Sequence, residues 1–172
     1  MNEKDYISNL FGAFATTIAT RIEEEVLELG GRSLTHESAL VAIQNHPNDT
    51  IDVLRKVLGI THSGAVRLIN TLEKEGLVER YRSEVDARAV VLRVTDKGSK
   101  RAEQVLKARE RVTDQVFAHL NSQQQDAIVS ALEVSLSALT NDQESARRIC
   151  RLCNEQVCRA KGCPVELKVL SQ

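Results

Sequence analysis

The chain has 172 residues, of which 42% are hydrophobic, only 3% are aromatic and none is tryptophan. This length suits one domain with an appendage, and a core without aromatics must be aliphatic, which favours helices. A net charge of −1 is no global signature of nucleic-acid binding, so such a site must come from local charge. No signal peptide and no membrane-spanning apolar run is found, so we expect a cytoplasmic protein without a membrane partner.

The first predicted element is a long amphipathic helix over residues 4–29, ended by Gly30 and Gly31. Its apolar side chains recur at spacings of three and four, at Ile7, Leu10, Phe11, Phe14, Ile18 and Ile22. The charged run at residues 21–25 is interpreted as a solvated face. Thr35 is predicted to be the N-cap of a second helix that includes residues 38–43.

The segment from Thr50 to Glu75 predicts two short helices joined by a turn. Thr50 is expected to cap the first helix, Gly59 to end it and Thr61 to cap the second. The second helix has an apolar face at Ala65, Leu68, Ile69 and Leu72, and a polar face opposite. A helix–turn–helix buries the first face and offers the second to a DNA major groove.

After Gly76 the hydrophobic period changes from 3.6 to 2, which predicts a β-hairpin. Its strands are expected at residues 77–82 and 89–94, around a polar loop at residues 83–88. Residues 54–93 contain eight Lys and Arg against five Asp and Glu, a local excess of 8 − 5 = +3. A basic hairpin directly after a recognition helix is the layout of a winged helix–turn–helix.

At these residues the sequence resembles the MarR family of bacterial transcription regulators. The most specific pieces are LEKEGLVER at residues 72–80, the D-x-R of Asp86 and Arg88, and the T-x-K-G of Thr95, Lys97 and Gly98. The resemblance covers roughly residues 5–140. It implies an obligate homodimer that binds a pseudo-palindromic operator in double-stranded DNA, usually as a repressor. It also implies a small-molecule effector site between the dimer helices and the DNA-reading unit, which is the winged helix–turn–helix of residues 33–95.

Two further helices are predicted after the hairpin. The first starts at Thr95 and runs to about Leu120, and Ser122 with Gln125 is expected to form a capping box for the second. These two helices and the first helix have few packing partners within one chain. We therefore expect their apolar faces to be buried against a second copy, which predicts a dimer. The chain is therefore divided into a helical dimerisation region (1–30 and 96–140), a winged helix–turn–helix domain (33–95) and a cysteine-rich tail (141–172).

The candidate DNA contacts lie on the second helix of the reading unit and on the hairpin. Arg67 is a candidate for guanine in the major groove, with a phosphate contact or a pair with Asp52 as the alternative. Arg88 at the wing tip suits a narrow minor groove, and the resemblance implies that Asp86 orients it. The full set is Thr61, His62, Ser63, Gly64, Arg67, Asn70, Arg80, Arg82, Asp86 and Arg88.

The chain carries no catalytic constellation, so an enzyme is not expected. The sequence predicts a DNA-binding transcription regulator. The alternative is a protein-interaction or metal-handling module that uses the winged helix as a docking scaffold.

All four cysteines lie in the tail, in the pattern C-x2-C-x4-C-x4-C-P, as Cys150, Cys153, Cys158 and Cys163. In a cytosolic protein such clustering points to metal or redox chemistry more than to structural disulfides. The surrounding Arg and Lys side chains would lower thiol pKa values and offset the charge of a metal bound by four thiolates.

Four interpretations of this cluster remain open at the sequence level. Four thiolates suit a structural Zn²⁺, although the two four-residue gaps are unusual for a zinc ribbon. An iron–sulfur cluster is favoured by the closing Cys163-Pro164. A metal-free thiol switch and four inert thiols complete the set. A change at the tail that altered the dimer would change the spacing of the two recognition helices, which must match one DNA turn.

Overall fold

A computed structural model describes residues 2–171, which fold into helices and one two-stranded sheet. Residues 1 and 172, the outer ends of the predicted dimerisation region and tail, lie outside this description. The helices are α1 (Glu3–Leu27), α2 (Leu34–Asn45), α3 (Ile51–Leu58), α4 (His62–Lys74), α5 (Asp96–Phe117), α6 (Ser122–Leu139), α7 (Gln143–Ile149), α8 (Glu155–Lys161) and α9 (Pro164–Leu170), with a 3-10 turn at Cys150–Leu152. Strands β1 (Val78–Arg82) and β2 (Val90–Val94) pair antiparallel, with Val78 opposite Val94. The predicted fold class, mostly α with a β-hairpin wing, is confirmed.

The core forms where α2 packs against α5 and α3, and where α3 packs against α4. Its side chains are aliphatic, as the composition requires, and the largest fully buried ones include Leu40, Ile43, Ile69, Leu72 and Leu92. The wing contributes to this core through Val78, Leu92 and the half-buried Val94. The DNA-reading helix and the wing are therefore supported by one continuous apolar cluster.

The T-x-K-G motif joins the wing to α5. Thr95 caps α5 by accepting a hydrogen bond from the Gly98 amide (3.0 Å), and its hydroxyl donates to the Gly76 carbonyl (2.7 Å). A Cβ at Gly98 would lie 1.9 Å from the Leu77 carbonyl oxygen, so only glycine lets α5 approach the chain that enters the wing. The motif thus fixes the angle between the hairpin and the long helix.

A buried ion pair that the sequence analysis missed links three helices. Glu37 is fully buried in α2 and accepts hydrogen bonds from Arg101 of α5, the shortest at 2.6 Å from Nη2. The Leu29 carbonyl, just past α1, accepts from the same guanidinium. A buried carboxylate needs such compensation because desolvation is costly. The pair spans 64 residues, so no local pattern reveals it.

Four predicted helix boundaries are wrong. The N-cap of α2 is Ser33 and not Thr35, which lies inside the helix. The capping box of α6 consists of Asn121 and Gln124, one residue before the predicted pair, because Asn121 is the residue with extended backbone. Helices α1 and α5 also end two to three residues earlier than predicted, at Leu27 and Phe117.

Helices α1 and α6 expose apolar side chains in the single chain. On α1, Ile7, Leu10 and Phe11 are each more than half exposed. No residue of α6 is buried, and its Val134 and Leu139 are 70% and 65% exposed. In residues 2–171, no helix is long and apolar enough to cross a bilayer.

The tail does not continue α6, which ends at Leu139 with Thr140 in extended conformation. It folds into short helices that return to the body of the molecule. The 3-10 turn packs against α2, α7 against α3, and α9 against α6. Pro164 starts α9 at its first position, and Gly162, at φ 83°, takes the left-handed conformation of the preceding turn.

Candidate functional site

Helix α4 presents a polar face at its N-terminal end. Thr61 is its N-cap, as predicted, and accepts a hydrogen bond from the Gly64 amide (3.1 Å). His62, Ser63 and Arg67 are exposed, while the predicted apolar face of Ala65, Leu68, Ile69 and Leu72 is buried. Helix α4 thus has the predicted buried face and the predicted free face. The small residues Ser63 and Gly64 lie at the end of the free face that would enter a DNA groove.

Arg67 makes no salt bridge within residues 2–171. The acid considered as its alternative partner, Asp52, instead accepts a hydrogen bond from Arg55 at 2.6 Å. This hydrogen bond lowers the pKa of the Asp52 carboxyl from its ordinary value. The guanidinium of Arg67 therefore stands on the free face of α4 with its donors available to a ligand.

Arg80 connects the wing to α4. Its guanidinium donates to the Asn70 side-chain oxygen (2.7 Å) and forms a salt bridge with Glu73. Both Arg80 and Asn70 were predicted as DNA contacts, and in this structure they contact each other. Arg82, two residues further along β1, is exposed.

The wing tip is shaped by hydrogen bonds between side chains and backbone amides. The Ser83 hydroxyl accepts from the amides of Val85 and Asp86 (3.2 Å each), and the Asp86 carboxylate accepts from the Arg88 amide (2.9 Å). Asp86 thus sets the backbone at Arg88, whereas the family resemblance implied that it orients the side chain. The Arg88 side chain remains exposed at the tip.

The turn between α2 and α3 supports the wing. The Asn48 amide donates to the Leu92 carbonyl (3.0 Å), and the Leu92 amide donates to the Asp49 carbonyl (2.9 Å). The Asn48 side chain accepts from Arg93 Nε at 2.6 Å. Residues 46–50, called the support turn below, therefore form an additional edge beside strand β2.

The cysteine tail binds this same support turn. His46 Nε2 lies 2.8 Å from Glu155 Oε1, and Arg147 forms a salt bridge with Asp49. Just before the turn, the Asn45 side-chain amide donates to the Cys153 carbonyl (2.9 Å). Sequence analysis did not find these residues, because each pair is about a hundred residues apart and no local signal marks it.

The four cysteines line one cavity of about 330 Å³ between the support turn and the last helices. Each is half-buried and reduced. Charged side chains on the wall are Arg147, Arg159, Asp49, Glu155 and Glu166, and apolar side chains from α7 and α9 complete it. Within residues 2–171, no three Cys, His, Asp or Glu side chains are grouped closely enough to hold a single metal ion.

The thiols differ in acidity. A hydrogen bond from the Cys150 thiol lowers the pKa of Cys153 to about 6, and the charges of Arg109 and Arg151 act in the same direction against the effect of burial. The same hydrogen bond, together with burial, raises the pKa of Cys150 above its ordinary range. Burial also raises the pKa of Cys158.

Glu155 is ionised more readily than an ordinary glutamate. Burial alone would raise the pKa of this carboxyl, but the hydrogen bond and charge of His46, with Arg159 and Arg147, together lower it. Arg159 Nη2 lies 2.6 Å from Glu155 Oε2. The wall of the cavity is thus held by a connected set of ion pairs.

The DNA-reading unit matches a known protein family. A model of the MarR family matches residues 31–89, from Gly31 to the residue before β2. The transcriptional repressor MprA of Escherichia coli strain K12 is 28% identical over 117 residues, which are 67% of this chain and 66% of MprA. The matched part thus spans just under two thirds of that relative.

Solved structures share the fold at lower identity. A MarR family protein from Bacillus stearothermophilus has a TM-score of 0.67 and 23% identity, covering 77% of this chain and 93% of that one. FabT of Streptococcus pneumoniae, solved in complex with DNA, has a TM-score of 0.60 and 23% identity over 76% of this chain and 92% of its own. Both likenesses concern the winged helix–turn–helix architecture.

Proposed function

The chain belongs to the MarR family of winged helix–turn–helix transcription regulators, and from this premise we propose that it represses transcription as a homodimer on a pseudo-palindromic operator. DNA binding and regulation follow from the family, whose members are regulators and not enzymes. The observation that carries the proposal is the free polar face of α4, where Arg67 is exposed and has no salt-bridge partner among residues 2–171.

The proposed contacts divide into two groups. Ser63, Gly64 and Arg67 at the start of α4 enter the major groove, where an arginine pairs with guanine O6 and N7. Arg88 enters the adjacent minor groove from the wing tip. Arg80 positions the wing against α4 through Asn70, so its contribution is to geometry more than to phosphate binding. His62, Thr61 and Arg82 add contacts to the DNA backbone.

The homodimer is supported by the apolar faces of α1 and α6. A soluble monomer rarely exposes a large contiguous apolar patch, and the two helices come from the ends of the predicted dimerisation region. A twofold axis pairs the same face of each copy and places two α4 helices on one side of the assembly. Two successive major grooves on one face of DNA are about 34 Å apart.

Repression is the proposed output because a relative that covers two thirds of the chain is named a transcriptional repressor. We further propose that the output is modulated, either by a small molecule between the dimer helices and the reading unit or at the cysteine tail. Zinc, an iron–sulfur cluster and reversible disulfides are the ligand states considered for the tail. Because the tail contacts the support turn, and the support turn contacts strand β2, each of these states of the tail would act on the wing.

The competing function is a winged helix that docks proteins, and salt dependence separates the two. Fluorescence anisotropy with a labelled duplex is measured from low to high salt. Counterion release from DNA gives a linear fall of log affinity with log salt, with a slope of about −0.9 per phosphate neutralised. A steep negative slope supports the DNA-binding proposal. Absent or salt-independent binding favours the docking scaffold.

A further inference from the structure

We propose that the cavity of the tail holds an iron–sulfur cluster ligated by Cys150, Cys153, Cys158 and Cys163, and that the cluster holds the tail against the support turn. The ligand site stands on the geometry of the tail alone. Its regulatory part rests on the proposed function, since it needs DNA binding to be regulated.

The ligand set matches this cofactor. Four thiols that lie in a 3-10 turn, in α8 and before α9 line the same cavity, and the sequence contains no other cysteine. Four cysteine thiolates are the usual ligands of [2Fe–2S] and [4Fe–4S] clusters. Cys163 precedes Pro164, so the last ligand sits at the start of α9, where the chain turns back toward the other three.

The spread of the thiols favours a cluster over one zinc ion. Zinc–sulfur bonds of about 2.3 Å in a tetrahedron bring all sulfurs within about 3.8 Å of one another. The four thiols line one cavity, yet within residues 2–171 no three potential ligands group around one ion position. The cavity volume of about 330 Å³ is that of a site for a polyatomic ligand.

Cationic side chains lie beside the thiols. Arg147 lines the cavity and forms a salt bridge with Asp49. Arg109 and Arg151 lie near Cys153 and offset the negative charge of a thiolate-ligated cluster.

The cluster would act on DNA binding through the support turn. Cys153 is bound by Asn45 through its carbonyl, and Glu155, two residues later, pairs with His46. Arg147 reaches Asp49, whose carbonyl accepts the Leu92 amide of the wing. A cluster bound by the four thiols would crosslink the 3-10 turn, α8 and α9. In the loaded protein these segments contact the support turn as one rigid unit. In the metal-free protein they contact it as separate short helices.

The site is tested on the full chain, purified without oxygen and reconstituted with ferric iron, sulfide and an excess of a small thiol, which supplies the electrons that a mixed-valence cluster needs. We expect iron and acid-labile sulfide in equal amounts, about two or four of each per chain for a [2Fe–2S] or a [4Fe–4S] cluster, with broad visible absorption. The Cys158→Ser variant should lose both, while its helical circular dichroism stays at the wild-type level. One zinc per chain without iron, or iron retained by a variant with all four cysteines changed to serine, overturns the proposal.

The regulatory part is tested by comparing loaded and metal-free protein on the same duplex. We expect their affinities to differ by about fivefold or more, the lower bound of ordinary allosteric coupling. Equal affinities overturn the regulatory part. The Arg88→Ala variant should keep its iron and bind DNA at least tenfold more weakly. If every form binds iron and none binds DNA, the proposed function fails while the cluster site stands.

Discussion

His46 Nε2 lies 2.8 Å from Glu155 Oε1. This contact joins the support turn to the cysteine tail, although the two residues are 109 positions apart in the sequence. The Glu155 side chain is only 12% exposed. Arg147 binds Asp49 in the same turn, and Asn45 binds the Cys153 carbonyl. Side-chain contacts therefore dock the tail on the reading unit.

Removing the charge of Glu155 should loosen the tail in a pH-dependent way. The folded-state pKa of Glu155 is lowered, so its stabilising contribution is present above the ordinary glutamate pKa of about 4.3 and is lost as the pH falls through the folded value. We expect Glu155→Gln to cost about 1 kcal/mol at pH 7 and almost nothing near pH 3, measured by urea unfolding.

The control for this experiment is Glu144→Gln. Glu144 is half exposed, and its contacts with Lys56 and Arg148 are 3.9 and 4.0 Å long, so little effect is expected at any pH. A cost for Glu155→Gln that does not change between pH 7 and pH 3 would contradict the assigned role of the carboxylate.

Shortening Arg88 should weaken operator binding. We expect Arg88→Ala to reduce affinity at least tenfold at physiological salt, equivalent to about 1.4 kcal/mol, because a guanidinium is lost from a groove of enhanced negative potential. Gel-shift titration measures the affinity, and sedimentation should show an unchanged dimer. Arg111→Ala is the matched control, since Arg111 of α5 pairs with Glu25 of α1, away from the wing. Equal binding by both variants would remove the wing from the interface.

A charge on the apolar face of α1 should separate the dimer. Phe11 is 62% exposed in the single chain, and Phe11→Asp would bury an unpaired carboxylate at the proposed interface, at a cost of several kcal/mol. Sedimentation velocity should show a monomer at micromolar concentration. Asn9→Asp adds the same charge on the opposite side of the helix and should leave the dimer intact. A dimeric Phe11→Asp protein would place the interface elsewhere.

Adding a methyl group at Gly98 should destabilise the junction between wing and α5. The new Cβ would meet the Leu77 carbonyl at 1.9 Å, and forced backbone shifts in a packed region typically cost about 1–3 kcal/mol. Gly12→Ala is the control, because a Cβ at Gly12 in α1 has no neighbour within 4 Å and alanine favours the helix by about 1 kcal/mol. Thermal unfolding should shift in opposite directions for the two variants, and a neutral Gly98→Ala would contradict the close approach.

Periodicity was sufficient to predict the elements of the reading unit. Thr50, Gly59 and Thr61 occupy the predicted cap positions, because capping depends on residues within one turn of each other. The same logic failed at Thr35 and Ser122, where a neighbouring Ser or Asn is an equally good cap. Sequence alone cannot choose between two adjacent capping residues when packing sets the helix start.

The polar pairs between residues far apart in the chain could not be predicted from the sequence. The Glu37–Arg101 pair and the two contacts of the support turn with the tail join residues 64 to 109 positions apart. Nothing in their local surroundings distinguishes them from solvated charges. The clustering of the cysteines was visible in the sequence, whereas their arrangement around one cavity required the fold.

The most direct test of the central claim is a selection of bound sequences from a random pool of DNA duplexes. A homodimer with two α4 helices in successive major grooves predicts an enriched pseudo-palindrome, with half-sites centred about one helical turn, near 34 Å, apart. Arg67→Ala should relax the preference at one position of each half-site while binding persists. An absence of any enriched sequence, or enrichment of a single asymmetric half-site, would contradict the account.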